Sequence, residues 1–210
     1  FRTKRFVQSE EKKKLLQRNN LRLDDMRDVP DSVIENLETV RNYVDKCTVL
    51  LDIGANRGLF SKAANAFFQF DETVCFEPNE KQNYWIENNV KGFSCRIENV
   101  ALSDKDGYVT LYLHEEEGMN SIVGADVEVL KGEFPNDNPE KMRKTTVGAT
   151  TLDKAIHALN FTDEIFFLRI DTNGNELNVL NHGTQVLQQT EICLIEYMFL
   201  TPYKNNFSFQ

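Results

Sequence analysis

Val49-Leu50-Leu51-Asp52-Ile53-Gly54-Ala55-Asn56-Arg57-Gly58 decides how the rest of the chain is read. An apolar run carrying one acid stops at a glycine, and a helical pattern starts beyond the second glycine. That order predicts a strand ending in a tight turn that hands over to a helix, because glycine enters positive-φ turn conformations at no steric cost. In open α/β sheets such a junction is where nucleotide-like ligands lie. The first turn of the helix offers free N–H groups, and the missing side chain lets a ligand approach the backbone.

Downstream, strands and helices alternate as a parallel sheet with crossover helices requires. The patterns predict a strand over 49–53, a helix over 57–70, a strand over 73–77 stopped by Pro78, a helix over 80–89 and a strand over 94–100. After Gly107 the alternating run 108–113 reads as an antiparallel partner. Residues 114–144 are rich in Glu, Gly, Asn, Asp and Pro with little periodicity, and so long a loop inside a domain is usually functional. A strand over 144–150, a helix over 152–159, a strand over 165–171, a helix over 176–189 broken at Gly183 and a strand over 191–197 complete the pattern. The expected fold class is α/β, a doubly wound and mostly parallel sheet with helices on both faces. Residues 1–46 read as an N-terminal helical extension ahead of a domain spanning 47–210. In the extension, Ser32 and Glu35 would form a capping box, and Ile34, Leu37, Val40 and Val44 would pack a helix at the sheet's edge. The opening on Phe1 suggests one domain of a longer protein.

Composition narrows the function. With 210 residues, 40% hydrophobic and 27% charged, the chain has an ordinary globular balance. A net charge of −9 disfavours a general nucleic-acid or anionic-membrane surface, either of which needs a basic face. No apolar run approaches the ~20 residues that span a bilayer. Cys47, Cys75, Cys95 and Cys193 lack CxxC spacing. They read as reduced thiols, with Cys75 and Cys193 buried in apolar strands, and a reducing, cytoplasmic location is expected.

The turn itself refines the ligand. A dinucleotide fingerprint wants G-x-G-x-x-G, whose middle glycine admits the pyrophosphate, and here Asn56 stands at that place. A ligand without phosphate fits better. Glu77 closes the second strand, where an acid can accept two hydrogen bonds from ribose hydroxyls.

Six collinear pieces then carry a resemblance. They are Leu51-Asp52-Ile53-Gly54-Ala55-Asn56-Arg57-Gly58, Val74-Cys75-Phe76-Glu77-Pro78-Asn79, Asn99-Val100-Ala101-Leu102-Ser103-Asp104 followed by Gly107, Asn120-Ser121-Ile122, Thr151-Leu152-Asp153, and Leu168 to Glu176 with Val179-Leu180. Over roughly residues 47–199 the chain resembles class I S-adenosylmethionine-dependent methyltransferases, and more narrowly the FkbM family. The resemblance implies S-adenosyl-L-methionine as cofactor, S-adenosyl-L-homocysteine as product, and O-methylation of a sugar hydroxyl in glycan biosynthesis, a deoxyhexose such as rhamnose or fucose being one candidate acceptor. It further implies that Asp52 and the turn Gly54, Asn56, Arg57 and Gly58 face the methionine part, that Glu77 and Pro78 meet the ribose, and that Asn99, Val100 and Ala101 line the adenine edge. Ser121, with Asn120, would close over the cofactor. Asp171 would hold the methionine amino group or face the acceptor.

Few catalytic groups are needed when the donor is already activated, but an alcohol must still lose a proton. Asp171, Glu196 and Glu176 are the candidates, with His182 behind them; no metal is expected, since nothing has metal-ligand spacing. Two positions depart from the family's usual pattern. Arg169 stands for a lysine and is expected to pair with a strand-end acid such as Glu196. Asn173 stands for a glutamate; it cannot act as a base, and its simplest role is to support the turn before Gly174. His114 reads as a solvated loop histidine. Only Met198–Gln210 remain after the last strand, so the usual C-terminal hairpin is lost or replaced. An open sheet edge would then favour a neighbouring domain or a second copy. The alternatives are a non-catalytic cofactor-binding module, an O-methyltransferase of a small natural product, and, less well supported, a nicotinamide-dependent oxidoreductase.

Overall fold

β1 (Val49–Ile53) is buried at every position. A strand covered on both faces reads as a continuous apolar run, which accounts for its composition. The structure is a computed structural model and describes residues 10–45, 47–114, 117–124, 142–161 and 163–196. β1 lies at the centre of a five-stranded sheet in which β2 (Glu72–Phe76) and β3 (Cys95–Glu98) follow on one side, β7 (Phe166–Ile170) and β8 (Thr190–Ile195) on the other. All four pairings are parallel. A smaller sheet has the order β4-β6-β5, with β5 (Gly107–Leu113) antiparallel to β6 (Arg143–Thr150) and β4 (Ala101–Leu102) parallel to it.

The alternation of β1 divides the core. Val49, Leu51 and Ile53 join Val74, Phe76, Phe166, Leu168 and Ile170 on one face, covered by Leu152 and Ile156 of α5 (Leu152–Ala158), Val179 of α6 (Glu176–Asn181) and Val186 of α7 (Thr184–Gln188). Leu50 and Phe167 point the other way, against Phe60, Ala63 and Ala64 of α3 (Leu59–Phe68). Over that layer lie Leu16 of α1 (Glu10–Arg18) and Ile34 and Leu37 of α2 (Asp31–Val40). The expected placement of α2 at the sheet's edge is therefore corrected: it packs on α3 and contributes to the core of one face. A third cluster joins Cys75 of β2 to Ala55, Val90 and Ile86 of α4 (Asn83–Asn89).

Local chemistry moves several boundaries. α3 cannot begin before Leu59, because Asn56 (φ 49°) and Gly58 (φ 72°) are both left-handed, and Gln69 (φ 54°) ends it. The expected capping box is absent. Pro30, with φ at −59°, precedes α2 without a side-chain cap, and Asp31 is held at 3.2 Å by the buried Lys12 ammonium. The expected strand over 94–100 divides, since Asn99 exchanges two amide bonds of 2.9 Å with Asn83 and donates to the Glu77 carbonyl. Beyond it the chain leaves for the smaller sheet.

The break at Gly183 is observed. A Cβ there would lie 2.5 Å from Leu152 Cδ2, so α5 packs directly against the gap between α6 and α7. Asp153 then accepts the backbone N–H groups of Gln185 and Val186 at 3.0 Å each, satisfying the start of α7. Cys193, expected to be buried, is exposed because β8 is the outer strand.

Candidate functional site

The chain runs outward from β1 to β2 and β3 on one side, then returns to β7 and β8 on the other. Such a reversal opens a crevice at the carboxyl ends of the central strands. β1 and β7 meet at its floor: Asp171 N donates to Ile53 O at 2.9 Å, and a Cβ on Gly54 would lie 1.8 Å from the Asp171 carbonyl oxygen. With φ at 82° as well, position 54 accepts glycine on two independent grounds. Above this floor lies a cleft of about 610 Å³ that opens to solvent.

Glu77 dominates one end. Its carboxylate is 6% exposed and lines the cleft. One oxygen accepts Asn56 N–H at 2.8 Å and the other Asn79 N–H at 2.9 Å. Each oxygen keeps a free lone pair. Burial pushes Glu77 up to about 7, even though the Asn79 and Asn56 N–H groups favour its ionised form. Beside it, Asn56 Oδ1 is buried and has no hydrogen-bond partner among the described residues.

A guanidinium ties the other end together. Arg169 Nη1 donates to Asp52 Oδ1 and to the Gly54 carbonyl, both at 2.9 Å, while Nη2 holds Asp171 Oδ2. Its plane also lies over the Phe60 ring, 5.2 Å from the centroid. Asp52 is wholly buried and receives Ser61 Oγ on its second oxygen at 2.6 Å. Asp171 lines the cleft, and burial pushes it up to about 7, against the pull of Arg169 and with Glu196 raising it further. Arg169 thus pairs with Asp52 and Asp171, while Glu196 reaches the same cluster through a side-chain hydrogen bond with Asp171 and by its charge on Arg169.

The side wall comes from the start of the long loop. Ser121 forms a bridge with Tyr112 and donates its hydroxyl to the Asn173 carbonyl at 2.6 Å. Asn173 is left-handed (φ 56°) and its amide donates to Gly118 O at 2.9 Å and Asn120 O at 3.0 Å. His114 is 3% exposed, which corrects the expectation of a solvated histidine: its backbone N–H is held by Asn120 Oδ1 at 2.9 Å.

Ten of the residues singled out from sequence meet at the cleft. Gly54, Asn56, Glu77 and Pro78 form one side, and Val100, Ala101, Asn120, Ser121, Asp171 and Asn173 also line it. Asp52, Arg57, Gly58 and Asn99 lie outside the lining. Asp52 is turned to the opposite face of β1 by strand alternation. Arg57 stacks on Trp85 at 5.2 Å, and Gly58 packs on Ile86, 3.3 Å from where its Cβ would be. Asn99 is consumed by Asn83 and Glu77.

Of the acids considered for proton transfer, Glu176 accepts Thr172 N at 2.9 Å, Thr172 Oγ1 at 3.0 Å and Gly174 N at 3.1 Å, and it lies outside the lining. That carboxylate shapes the turn after β7. Glu196 is exposed at the end of β8, and its N–H joins Ile170 O at 2.9 Å. His182 holds the Asn178 carbonyl at 2.9 Å at the end of α6. Of the remaining lining, Ile122 and Thr172 fall within the pieces that carry the resemblance, though it assigns them no role, and only the alternation of 108–113 hints that Leu111 faces inward. Among the described residues, no group of three His, Cys, Asp or Glu is arranged to hold a metal ion, and no helix is long and apolar enough to cross a membrane.

Chemically, the cleft offers one buried carboxylate with spare acceptor capacity, one orphaned amide oxygen, and a second carboxylate held by a guanidinium. Against known proteins, the family model described as "Methyltransferase FkbM domain" matches residues 52–210. No curated protein and no solved structure gives a significant match.

Proposed function

The chain belongs to the FkbM methyltransferase domain family, and from that footing we propose that it is an S-adenosylmethionine-dependent O-methyltransferase acting on a sugar hydroxyl. Glu77 is the observation that carries the donor half of this reading. A buried carboxylate with a lone pair free on each oxygen, at the end of the strand next to the glycine turn, suits a pair of ribose hydroxyls. The orphaned Asn56 Oδ1 fits the same ligand, since an ammonium group can supply the missing donor. Gly54 leaves the floor open where a side chain would collide with Asp171. The apolar stretch of Pro78, Val100 and Ala101 suits a purine face.

When bound, the cofactor supplies a methyl group on a positively charged sulfur, already activated for transfer. The protein must align an acceptor oxygen, exclude water and receive a proton. Asp171 is suited to receiving the proton, because it lines the cleft and is raised toward neutrality, the range in which a general base is most effective. An Asp171 oxygen would take the proton that the acceptor hydroxyl must lose, and Arg169 keeps that carboxylate oriented. The acceptor side of the lining carries the neutral hydrogen-bonding side chains Asn120, Ser121, Thr172 and Asn173, and among the described lining residues there is no lysine or arginine. A neutral, hydroxyl-rich acceptor matches that wall better than an anionic one.

Titration calorimetry with S-adenosylhomocysteine is the first test, with one-to-one binding expected; no measurable binding would overturn the donor assignment. Mass spectrometry of a glycan panel incubated with protein and cofactor then tests the acceptor. A product heavier by one methylene on a sugar supports the reading, and methylation confined to non-sugar hydroxyls overturns it.

A further inference from the structure

We propose that Asn173 is a positioning residue that latches the loop segment 117–122 shut against the β7–α6 turn, so that the side wall of the cleft is already assembled before any ligand binds. The inference rests on the reading of this cleft as the catalytic site, but its physical basis is independent of the ligand. The Asn173 amide nitrogen donates to two carbonyl oxygens of the loop, Gly118 O at 2.9 Å and Asn120 O at 3.0 Å. A return bond runs the other way, from Ser121 Oγ to Asn173 O at 2.6 Å. Three bonds thus cross between two segments that are far apart in sequence. Two carbonyls facing one side-chain terminus demand a donor, which fixes the orientation of the amide.

A carboxylate at this position would face both oxygens with lone pairs and push the loop away. The difference between amide and acid at position 173 therefore sets whether the wall is closed or released, which is a larger consequence than loss of a proton acceptor. The latch also explains why Asn120 and Ser121 point where they do. Asn120 Oδ1 holds His114 N at 2.9 Å and Ser121 Oγ holds Val123 N at 2.9 Å, so both side chains are fixed from behind while lining the cleft.

A plain turn role makes a different prediction. Asn173 has φ of 56°, a conformation that Asp tolerates and Gly adopts freely. If the residue only relieves the turn, Asn173→Asp and Asn173→Gly both leave the loop unchanged. If it is a latch, both release it. Hydrogen–deuterium exchange of the ligand-free full chain, corrected for intrinsic rates, reads the amides of His114, Ser121 and Val123. Loss of two hydrogen bonds is expected to speed their exchange about tenfold or more in both variants, with Asp at least as fast as Gly. Exchange within about twofold of the parent chain in both variants overturns the latch. Calorimetry with S-adenosylhomocysteine on the parent chain separates the two claims: absent binding would remove the donor reading, while the exchange result would still decide the latch.

Discussion

Asp171 and Glu77 are both carboxyls held near neutrality by burial, yet their surroundings give them different roles. Asp171 is gripped by Arg169 and open to the cleft, so it can be neutralised without upsetting the turn. Asp171→Asn should therefore lower methyl transfer by about 10²–10⁴-fold, the usual worth of a general base, while S-adenosylhomocysteine affinity stays within a few-fold; equal loss of both in a steady-state and calorimetric comparison would make Asp171 a binding group instead. Glu77 must be ionised to accept from hydroxyls. Its pKa is raised from 4.5 in the unfolded chain to about 7 in the fold, so its contribution to stability is fully present below 4.5 and is lost as pH rises through about 7. Ligand binding runs the opposite way, because hydroxyl donors favour the charged form. Affinity for S-adenosylhomocysteine should rise with pH through about 7, by up to about tenfold per unit below it, and level off above. Calorimetry at pH 6, 7 and 8 checks the slope, and a flat profile would remove Glu77 from the ribose site.

At the scale of elements, the glycine turn shows what sequence could and could not convey. The strand 49–53 and its stop at Gly54 were legible because burial on both faces leaves an apolar run and positive φ leaves a glycine. The alternation of 108–113, a strand over 144–150 and the break at Gly183 were legible for similar local reasons, but not that those two strands pair with each other in a separate sheet. What escaped was long-range partnership. Asp52 sits in the same motif as Gly54, but strand alternation turns it to the opposite face, where Ser61 and Arg169 claim both oxygens. Thr151 and Asp153 look like a signature and serve as caps for α5 and α7. No periodicity announces that Asn99 pairs with Asn83 or that Glu176 folds back on its own turn. Two changes probe the junction of β1 with β7. Gly54→Ala places a Cβ 1.8 Å from the Asp171 carbonyl oxygen, and should cost upwards of about 3 kcal/mol by urea denaturation, since backbone must move. Arg169→Met leaves Asp52 buried without its cation, and a loss of about 3–5 kcal/mol is expected. Losses under about 1 kcal/mol in either variant would show that the junction yields easily.

For the whole molecule, the decisive question is whether the N-terminal helices belong to the same folding unit as the cleft. Leu37 has no exposed surface and shares a cluster with Leu50 of β1 and Phe167 of β7. Phe167 is also the hub of an aromatic group, with ring centroids 5.4 Å from Phe68, 5.6 Å from Phe70 and 6.2 Å from Phe60. Two residues further along the same strand stands Arg169, which organises Asp52 and Asp171. A cavity beneath α2 therefore weakens the layer that supports both strands at the crevice floor. Leu37→Ala should cost about 2–5 kcal/mol, roughly 4–20 °C in the unfolding midpoint for a chain of this size. The transition should stay single, and saturating S-adenosylhomocysteine should raise the midpoint of the variant as it raises that of the parent chain, because ligand binding and helix packing stabilise one cooperative state. Circular dichroism, which follows the helices, and the fluorescence of Trp85, which packs against Arg57 beside the glycine turn, should melt together. Two separated transitions, with the ligand shifting only the later one, would instead make the N-terminal helices a separate unit resting on an independently stable sheet.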